Sequence, residues 1–310
     1  MATQREHVQD SHSPAEELNE ESARRALKAA GTAAGIDTSD ANLIRIGSNA
    51  VFRLPDDVIA RIAPSADLLA NAEKQVKVSN WLQQQHYPAV RALPVAQPVV
   101  ADGRVATFWE SVSGVEEYAP IADVAALIRQ LHELPSPPST IPMTNISPFG
   151  GLDSPTPRFP GLDAPDEKYL VERLLWARST FDTLPYELSR GHIHGDANVG
   201  NVLRSSDGKP VMIDLDSFST GPREWDLIQT AIFYDRLGWH TEAEYRTFVD
   251  VYGYNLLQWE GYCQLAEMRE LAMTAWLSKK AAQSASAARE AARRIRAIKT
   301  GASRRDWAPY

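Results

Sequence analysis

Residues 191–201, Gly-His-Ile-His-Gly-Asp-Ala-Asn-Val-Gly-Asn, followed after nine intervening residues by Val211-Met-Ile-Asp-Leu-Asp216, decide the reading of this chain. The pattern is H-G-D-x-x-x-x-N and then, eighteen residues after Asp196, an apolar run closed by Asp214-x-Asp216. Four fixed positions of this kind arise by chance in such a chain roughly a few times in a thousand. The bland alternative is that these aspartates only form turns and helix caps, the usual fate of an isolated aspartate in a glycine-rich loop. The chemistry that the set suits is phosphoryl transfer, in which one carboxylate orients and deprotonates an attacking hydroxyl while magnesium neutralises nucleotide phosphates. Magnesium takes hard oxygen ligands and keeps several waters, so an asparagine carbonyl and one or two aspartates suffice. Two short strands, Asn201–Arg204 and Pro210–Leu215, joined by a Ser-Asp-Gly turn, are expected to fold Asp214 back beside Asp196.

Working outward, the N-terminal part alternates like a small sheet. Strand-like runs occupy Asn42–Ile46, Ala50–Leu54 and Asp57–Ile62, broken by Gly-Ser-Asn and Pro-Asp, with two more near Val95–Val100 and Arg104–Glu110. A helix is expected over residues 15–30, acidic early and basic late, ended by Gly31 or Gly35. A second is expected over Ala66–Gln85, inserted between the strands. After Glu110 comes a helix at Ile121–Leu134, then Pro135–Pro165 with nine prolines, too many for regular structure. Helical segments fill the rest, ending in a basic, alanine-rich one at Ala281–Lys299. The fold class is therefore α+β: a flexible tail (1–21), a small antiparallel-sheet lobe with a helix (22–112), and a larger, mainly helical lobe (113–310).

Composition narrows the function classes. The 310 residues are 44% hydrophobic and 23% charged, ordinary for a folded protein. No apolar run is long enough to span a membrane, and the N-terminus lacks the apolar core of a secretory signal. A single cysteine, Cys263, excludes an intramolecular disulfide framework, and the cytoplasm is the expected compartment. The net charge of −8 conceals an acidic stretch at 113–278, with 24 acids against 12 bases, and a basic one at 279–310, with nine bases against two acids. The acidic body disfavours nucleic acid as a partner and mildly favours a cationic small molecule.

Asp196 and Asn201 lie five apart, the interval between base and metal ligand in a protein-kinase catalytic loop. The run from His194 to Asn201, Ile213-Asp-Leu-Asp216 and Gly221-Pro-Arg-Glu-Trp-Asp-Leu227 together resemble the aminoglycoside phosphotransferase family of kinase-like enzymes. Gly47-Ser-Asn-Ala-Val-Phe52, Val58-Ile-Ala-Arg61 and Phe108-Trp-Glu110 extend the resemblance over roughly residues 40–280. It implies a bilobal protein-kinase-like fold and transfer of phosphate from ATP or GTP to the hydroxyl of a small-molecule acceptor. It implies Asp196 as catalytic base and Asn201 and Asp214 as Mg²⁺ ligands, with Asp216 assisting. Asp226 would brace the catalytic loop, and His194 would shape it.

The same resemblance gives the upstream residues their roles. Backbone groups of Gly47, Ser48 and Asn49 would close over the phosphates. Relatives place a lysine on the third strand; here the strand offers Arg61, which stays protonated and binds phosphate bidentately. Glu73, the one glutamate of the following helix, is its expected partner, and Glu110–Val112 the segment that meets the nucleotide base. The acceptor pocket is expected between the Asp196 loop and the C-terminal helices, with Asp235, Trp239, Glu267 and Glu270 as wall residues. Tryptophans at helical positions are more often core, and acids are often an ordinary wet face. The acceptor class stays open between an antibiotic and a metabolite of the choline, homoserine or sugar kind. A nucleotide-binding module without catalysis is the third reading, prompted by Arg61. A histidine pair at His192 and His194 without cysteines or a third histidine does not make a zinc site.

Overall fold

The computed structural model describes residues 17–149 and 157–310. Residues 1–16 of the expected tail and 150–156 of the proline-rich stretch lie outside them, and the tail's expected last residues, Glu20 and Glu21, instead open the first helix. The described residues form two compact units, one of residues 17–80 and 90–114 and one of residues 81–89, 115–149 and 157–310.

The first unit opens with α1 (Glu20–Ala34), started by a reciprocal cap: Ser22 N donates to the Asn19 side chain at 2.9 Å and Asn19 N to Ser22 Oγ at 3.1 Å. Gly35, with φ +71°, ends the helix in the left-handed conformation that glycine adopts without penalty, while Gly31 is buried inside it. Strands β1 (Asn42–Ile46), β2 (Ala50–Leu54) and β3 (Val58–Ile62) follow as a meander. Helix α2 (Leu69–Gln84) and strands β4 (Val99–Ala101) and β5 (Arg104–Glu110) complete an antiparallel sheet of order β1-β2-β3-β5-β4.

Alternation selects the buried face. Ala50, Phe52 and Leu54 on β2, Val58, Ala60 and Ile62 on β3, and Phe108 on β5 join Ala23, Ala26, Leu27 and Ala30 of α1 in one cluster. On the other face Val105 packs with Ala63 and Ala72, the latter from α2. The buried Arg104 ties α1 to the sheet, donating to Ser22 Oγ at 2.9 Å and to Pro64 O at 2.7 Å. The strand expected over Val95–Val100 is reduced to the three residues of β4. Pro94 and Pro98 lack the N–H that a ladder needs, and Gln97 bonds sideways to Leu93 O and Phe108 N instead.

The second unit is mainly helical. Helices α3 (Ile121–Glu133) and α4 (Ala164–Thr180) precede β6 (Gly191–Ile193), β7 (Val202–Arg204), β8 (Pro210–Met212) and β9 (Ser219–Gly221). Helices α5 (Glu224–Asp235), α6 (Glu242–Tyr252), α7 (Tyr262–Ser278) and α8 (Ala285–Thr300) follow. α3 packs along α6, and α7 against α4, α5 and α8. β7 pairs antiparallel with β8 as expected from the sequence; the pairing of β6 with β9 was not foreseen. No helix among the described residues is long and apolar enough to cross a membrane.

Candidate active site

The site is built on the loop that leaves β6. His194 and Gly195 are gripped from both sides by the first turn of α5. The fully buried Asp226 accepts from His194 N at 2.7 Å and from Gly195 N at 2.8 Å, while Trp225 Nε1 donates to Gly195 O at 2.9 Å. Gly195 has φ +86°, and a Cβ there would collide with the Ser217 carbonyl, so the H-G-D spacing is a backbone requirement. His132 of α3 adds a third contact to Asp226, Nε2 to Oδ2 at 3.1 Å, and is itself met by the Tyr252 hydroxyl at 2.9 Å.

Burial alone would push the Asp226 carboxyl up, but the His132 contact, the His194 ring and the Gly195 N–H hold it below the ordinary value of 3.8. A depressed native value means stability that is present above the unfolded value and lost as pH falls through the native one. Asp226→Asn is therefore expected to lower stability at neutral pH by about 1–3 kcal/mol, the cost of poorly matched buried donors. The gap from the wild type should close at acid pH. Urea midpoints across a pH series check this, and a gap independent of pH would refute it.

His194 carries the grip onward: its Nδ1 accepts from Asp196 N at 3.3 Å and its Nε2 meets Ile213 O at 2.8 Å, a pattern suited to the Nε2–H tautomer. The structure brings Asp196 and Asn201 together. Asn201 Nδ2 donates to Asp196 O at 2.8 Å and to Asp196 Oδ2 at 3.1 Å, and Asn201 O accepts from Ile213 N at 2.9 Å. The next residue, Asp214, sits at φ +63°, ψ +66°, a conformation that a non-glycine residue rarely adopts and that clusters at functional sites. Asp216 follows in the 3₁₀ turn Leu215–Ser217. Asn198 turns inward, bonding Asp196 O and Gly200 N, and His192 is buried against Leu131 O, Trp81 and Phe218.

Sequence reasoning missed His132, Gln229 and Arg269 here. Arg269 of α7 donates to Asp196 Oδ1 at 2.5 Å, shares the same nitrogen with Gln229 Oε1, and lies over Trp225 with Cζ 5.2 Å from the ring centre. No motif announces a contact across 73 residues; it depends on how α5 and α7 pack.

As for a metal, no group of three or more His, Cys, Asp or Glu is placed to hold one among the described residues. The donors are an amide and two carboxylates, which suits magnesium shared with phosphate and water better than an all-protein cage. Because Asn201 Nδ2 is committed to Asp196, its Oδ1 is the atom left to accept or ligate, so the residues fit the ion.

In the first unit, Gly47, Ser48 and Asn49 form the tip of the β1–β2 hairpin, with Gly47 N bonding Asn49 O at 3.0 Å. Arg61 lies on β3 opposite Val51 and Thr107, and its side chain reaches Gln75 Oε1 at 3.5 Å. An amide, Gln75, thus stands where Glu73 was expected: α2 buries Ala72, Gln75 and Val78, and Glu73 is exposed. Glu110 closes β5 opposite Val58, and Val112 follows two residues on.

The acidic wall expected in the second unit is largely neutralised. Glu270 is fully buried between Arg236 at 3.0 Å and Arg304 at 3.3 Å, Glu267 pairs with Arg173, and Asp235 accepts from the Tyr262 hydroxyl at 2.8 Å. Asp235 and Glu267 do line a recess of about 610 Å³ together with Arg236, Arg304 and Arg305. Trp239 packs on Phe233, 4.8 Å between ring centres, and Trp259 is core, bonding Pro185 O.

An antipaired five-stranded sheet with one inserted helix, and a helical unit whose H-G-D loop is braced by a buried aspartate, define the kinase-like class. The sequence matches the phosphotransferase enzyme family over residues 42–295, and the chain belongs to that family. It is a phosphotransferase with the fold of the small-molecule kinases. No curated protein matches it in sequence. Among solved structures it is similar to an amicoumacin kinase in complex with AMP-PNP, Ca²⁺ and Ami, with 12% identity and TM-score 0.65, over 88% of this chain and 91% of that one. It is similar to a choline/ethanolamine kinase family protein from Mesorhizobium loti, with 18% identity and TM-score 0.60, over 90% and 94%. An aminoglycoside phosphotransferase from Streptomyces rimosus follows at 20% identity and TM-score 0.55, over 81% and 96%.

Proposed function

We propose that this phosphotransferase moves the γ-phosphoryl group of ATP or GTP to a hydroxyl of a small-molecule antibiotic. The observation that carries the reading is the hydrogen-bonded set of Asp196, Asn201 and Ile213, which sets a carboxylate, an amide oxygen and Asp214 along one short path of backbone. Asp196 is the general base: it orients the acceptor hydroxyl and takes its proton as the phosphorus–oxygen bond forms. Asn201, Asp214 and Asp216 would hold Mg²⁺, whose bound form neutralises phosphate charge. Gly47–Asn49 and Arg61 would hold the phosphates, and Glu110–Val112 the base. The solved structures of similar fold include proteins bound to nucleotide and divalent metal, which supports the cosubstrate pair.

Both an amicoumacin kinase and a choline/ethanolamine kinase family protein are similar in fold, so the acceptor decides between antibiotic and metabolite. The test is nucleotide turnover with Mg²⁺ on aminoglycosides, macrolides, tuberactinomycin-type peptides, nucleoside antibiotics, choline, homoserine and sugars. The expected result is phosphorylation of one antibiotic, lost on chelation of the metal. Efficient use of a metabolite with every antibiotic untouched would replace this acceptor class. Tight nucleotide binding without turnover would make the chain a binding module.

A further inference from the structure

The carboxylate of Asp196 is held at both oxygens, Oδ2 by Asn201 at 3.1 Å and Oδ1 by Arg269 at 2.5 Å. In catalytic loops of the form H-R-D, an arginine precedes the aspartate. Here Gly195 takes that place, with a positive φ and no room for a side chain, and none of Ala197, Asn198, Val199 and Gly200 is basic. The cation beside the aspartate comes instead from α7. Its seat is built: Arg269 is 9% exposed, its guanidinium lies over Trp225, and Gln229 Oε1 takes a second bond from the same nitrogen. Trp225 in turn bonds the carbonyl of Gly195, so the cation and the loop rest on one indole. Arg269 Nε is buried without a hydrogen-bond partner, and Asp196 is its only ion-pair partner among the described residues. Burying a guanidinium with an unmet N–H is costly. A simple space-filler needs no such charge, and the one group at which this charge is aimed is the carboxylate of the proposed base.

We propose that Arg269 is the positioning residue of Asp196: it fixes the orientation of the carboxylate, so that the acceptor hydroxyl meets a base already in place. The inference rests on the reading of Asp196 as that base. A displacement of about 1 Å at a reacting group can cost 10²-fold in rate, and Asp196, two-fifths exposed, has few other contacts to stop it turning. Lysine keeps the charge but lacks the flat guanidinium that lies over Trp225 while one of its nitrogens meets both Asp196 and Gln229.

The test measures kcat and KM on the acceptor found by the screen, with nucleotide affinity and thermal midpoint, in Arg269→Met, Arg269→Lys, Asp196→Asn and the Asp196→Asn, Arg269→Met double variant. Arg269→Met is expected to lower kcat by about 10²-fold with KM for nucleotide unchanged, and Arg269→Lys to recover part of the loss. In the Asp196→Asn background Arg269→Met should cost almost nothing, because no base is left to place. Unchanged kcat in Arg269→Met, or an equal loss in both backgrounds, overturns the proposal. Should Arg269→Met not fold, Gln229→Leu removes the second anchor of the guanidinium, and a fall in kcat supports the proposal while an unchanged kcat overturns it. Full turnover by Asp196→Asn, or no turnover by the wild type, is a failure of the base assignment itself and takes the proposal with it.

Discussion

Asp196→Asn is expected to lower turnover by about 10²–10⁴-fold, the usual contribution of a positioned general base, while nucleotide affinity stays at the wild-type value. The substitution is isosteric, and the backbone contacts that shape the loop do not depend on the charge. Asn201 Nδ2 still has the residue-196 carbonyl at 2.8 Å, and Asp226 still holds His194 N and Gly195 N. What disappears is the negative charge whose basicity takes the hydroxyl proton, and with it the ion pair to Arg269. Nucleotide affinity is a separate matter, since the proposed phosphate contacts at Gly47–Asn49 and Arg61 belong to the other unit of the chain. Single-turnover rates with saturating nucleotide, together with a nucleotide titration and a melting curve, separate the three quantities. Wild-type turnover in the variant would remove Asp196 from the chemistry whatever its place in the loop.

How much of this was legible in the sequence follows from how local each cause is. The H-G-D and D-x-D motifs were readable because their demands lie within a few residues: no Cβ is tolerated at 195, a carboxylate and an amide sit five apart, and a short hairpin turns back. β2 and β3 were readable because one face is buried and the other is not, which forces alternation. β6 and β9 escaped because three residues carry no period, and β4 shrank because prolines punctuate the run before it. The error at Glu73 is one of helical phase. α2 has polar residues on nearly every side, so nothing in the sequence shows whether residue 73 or 75 faces β3. Arg269 and Glu270 show the wider case. They are adjacent, of opposite charge and both buried, and their partners at 196, 229, 236 and 304 are set by packing among α5, α7 and the segment after α8.

Glu270→Ala is expected to destabilise the protein by about 3–5 kcal/mol, the cost of removing one member of a buried ion pair and leaving the others uncompensated. Glu270 is fully buried on α7, with Arg236 Nη1 at 3.0 Å from Oε1 and Arg304 Nη2 at 3.3 Å from Oε2. Removing it leaves two guanidinium groups without a carboxylate: Arg236 keeps Cys263 O at 3.2 Å and the face of Tyr262, and Arg304 keeps the carbonyls of Ala297, at 3.1 Å, and Ala302. Arg304 lies in the basic C-terminal segment, which packs onto the second unit through further contacts. Arg294 bonds Ala308 O at 2.7 Å and stacks on Trp307, and Ala308 N bonds Glu290 at 3.0 Å. The tail is therefore a clamp on α7 and α8, so truncation after Ser278 should cost stability before it costs chemistry. The energy lies in the pairing, not in the arginine stems, so Glu270→Leu combined with Arg304→Met should lose less than the sum of the two single losses. Urea unfolding of the two single variants and the double variant measures that difference. Strictly additive losses would mean that Glu270 and Arg304 do not interact, and that the C-terminal segment is held by its other contacts, among them those of Trp307, Arg294 and Ala308.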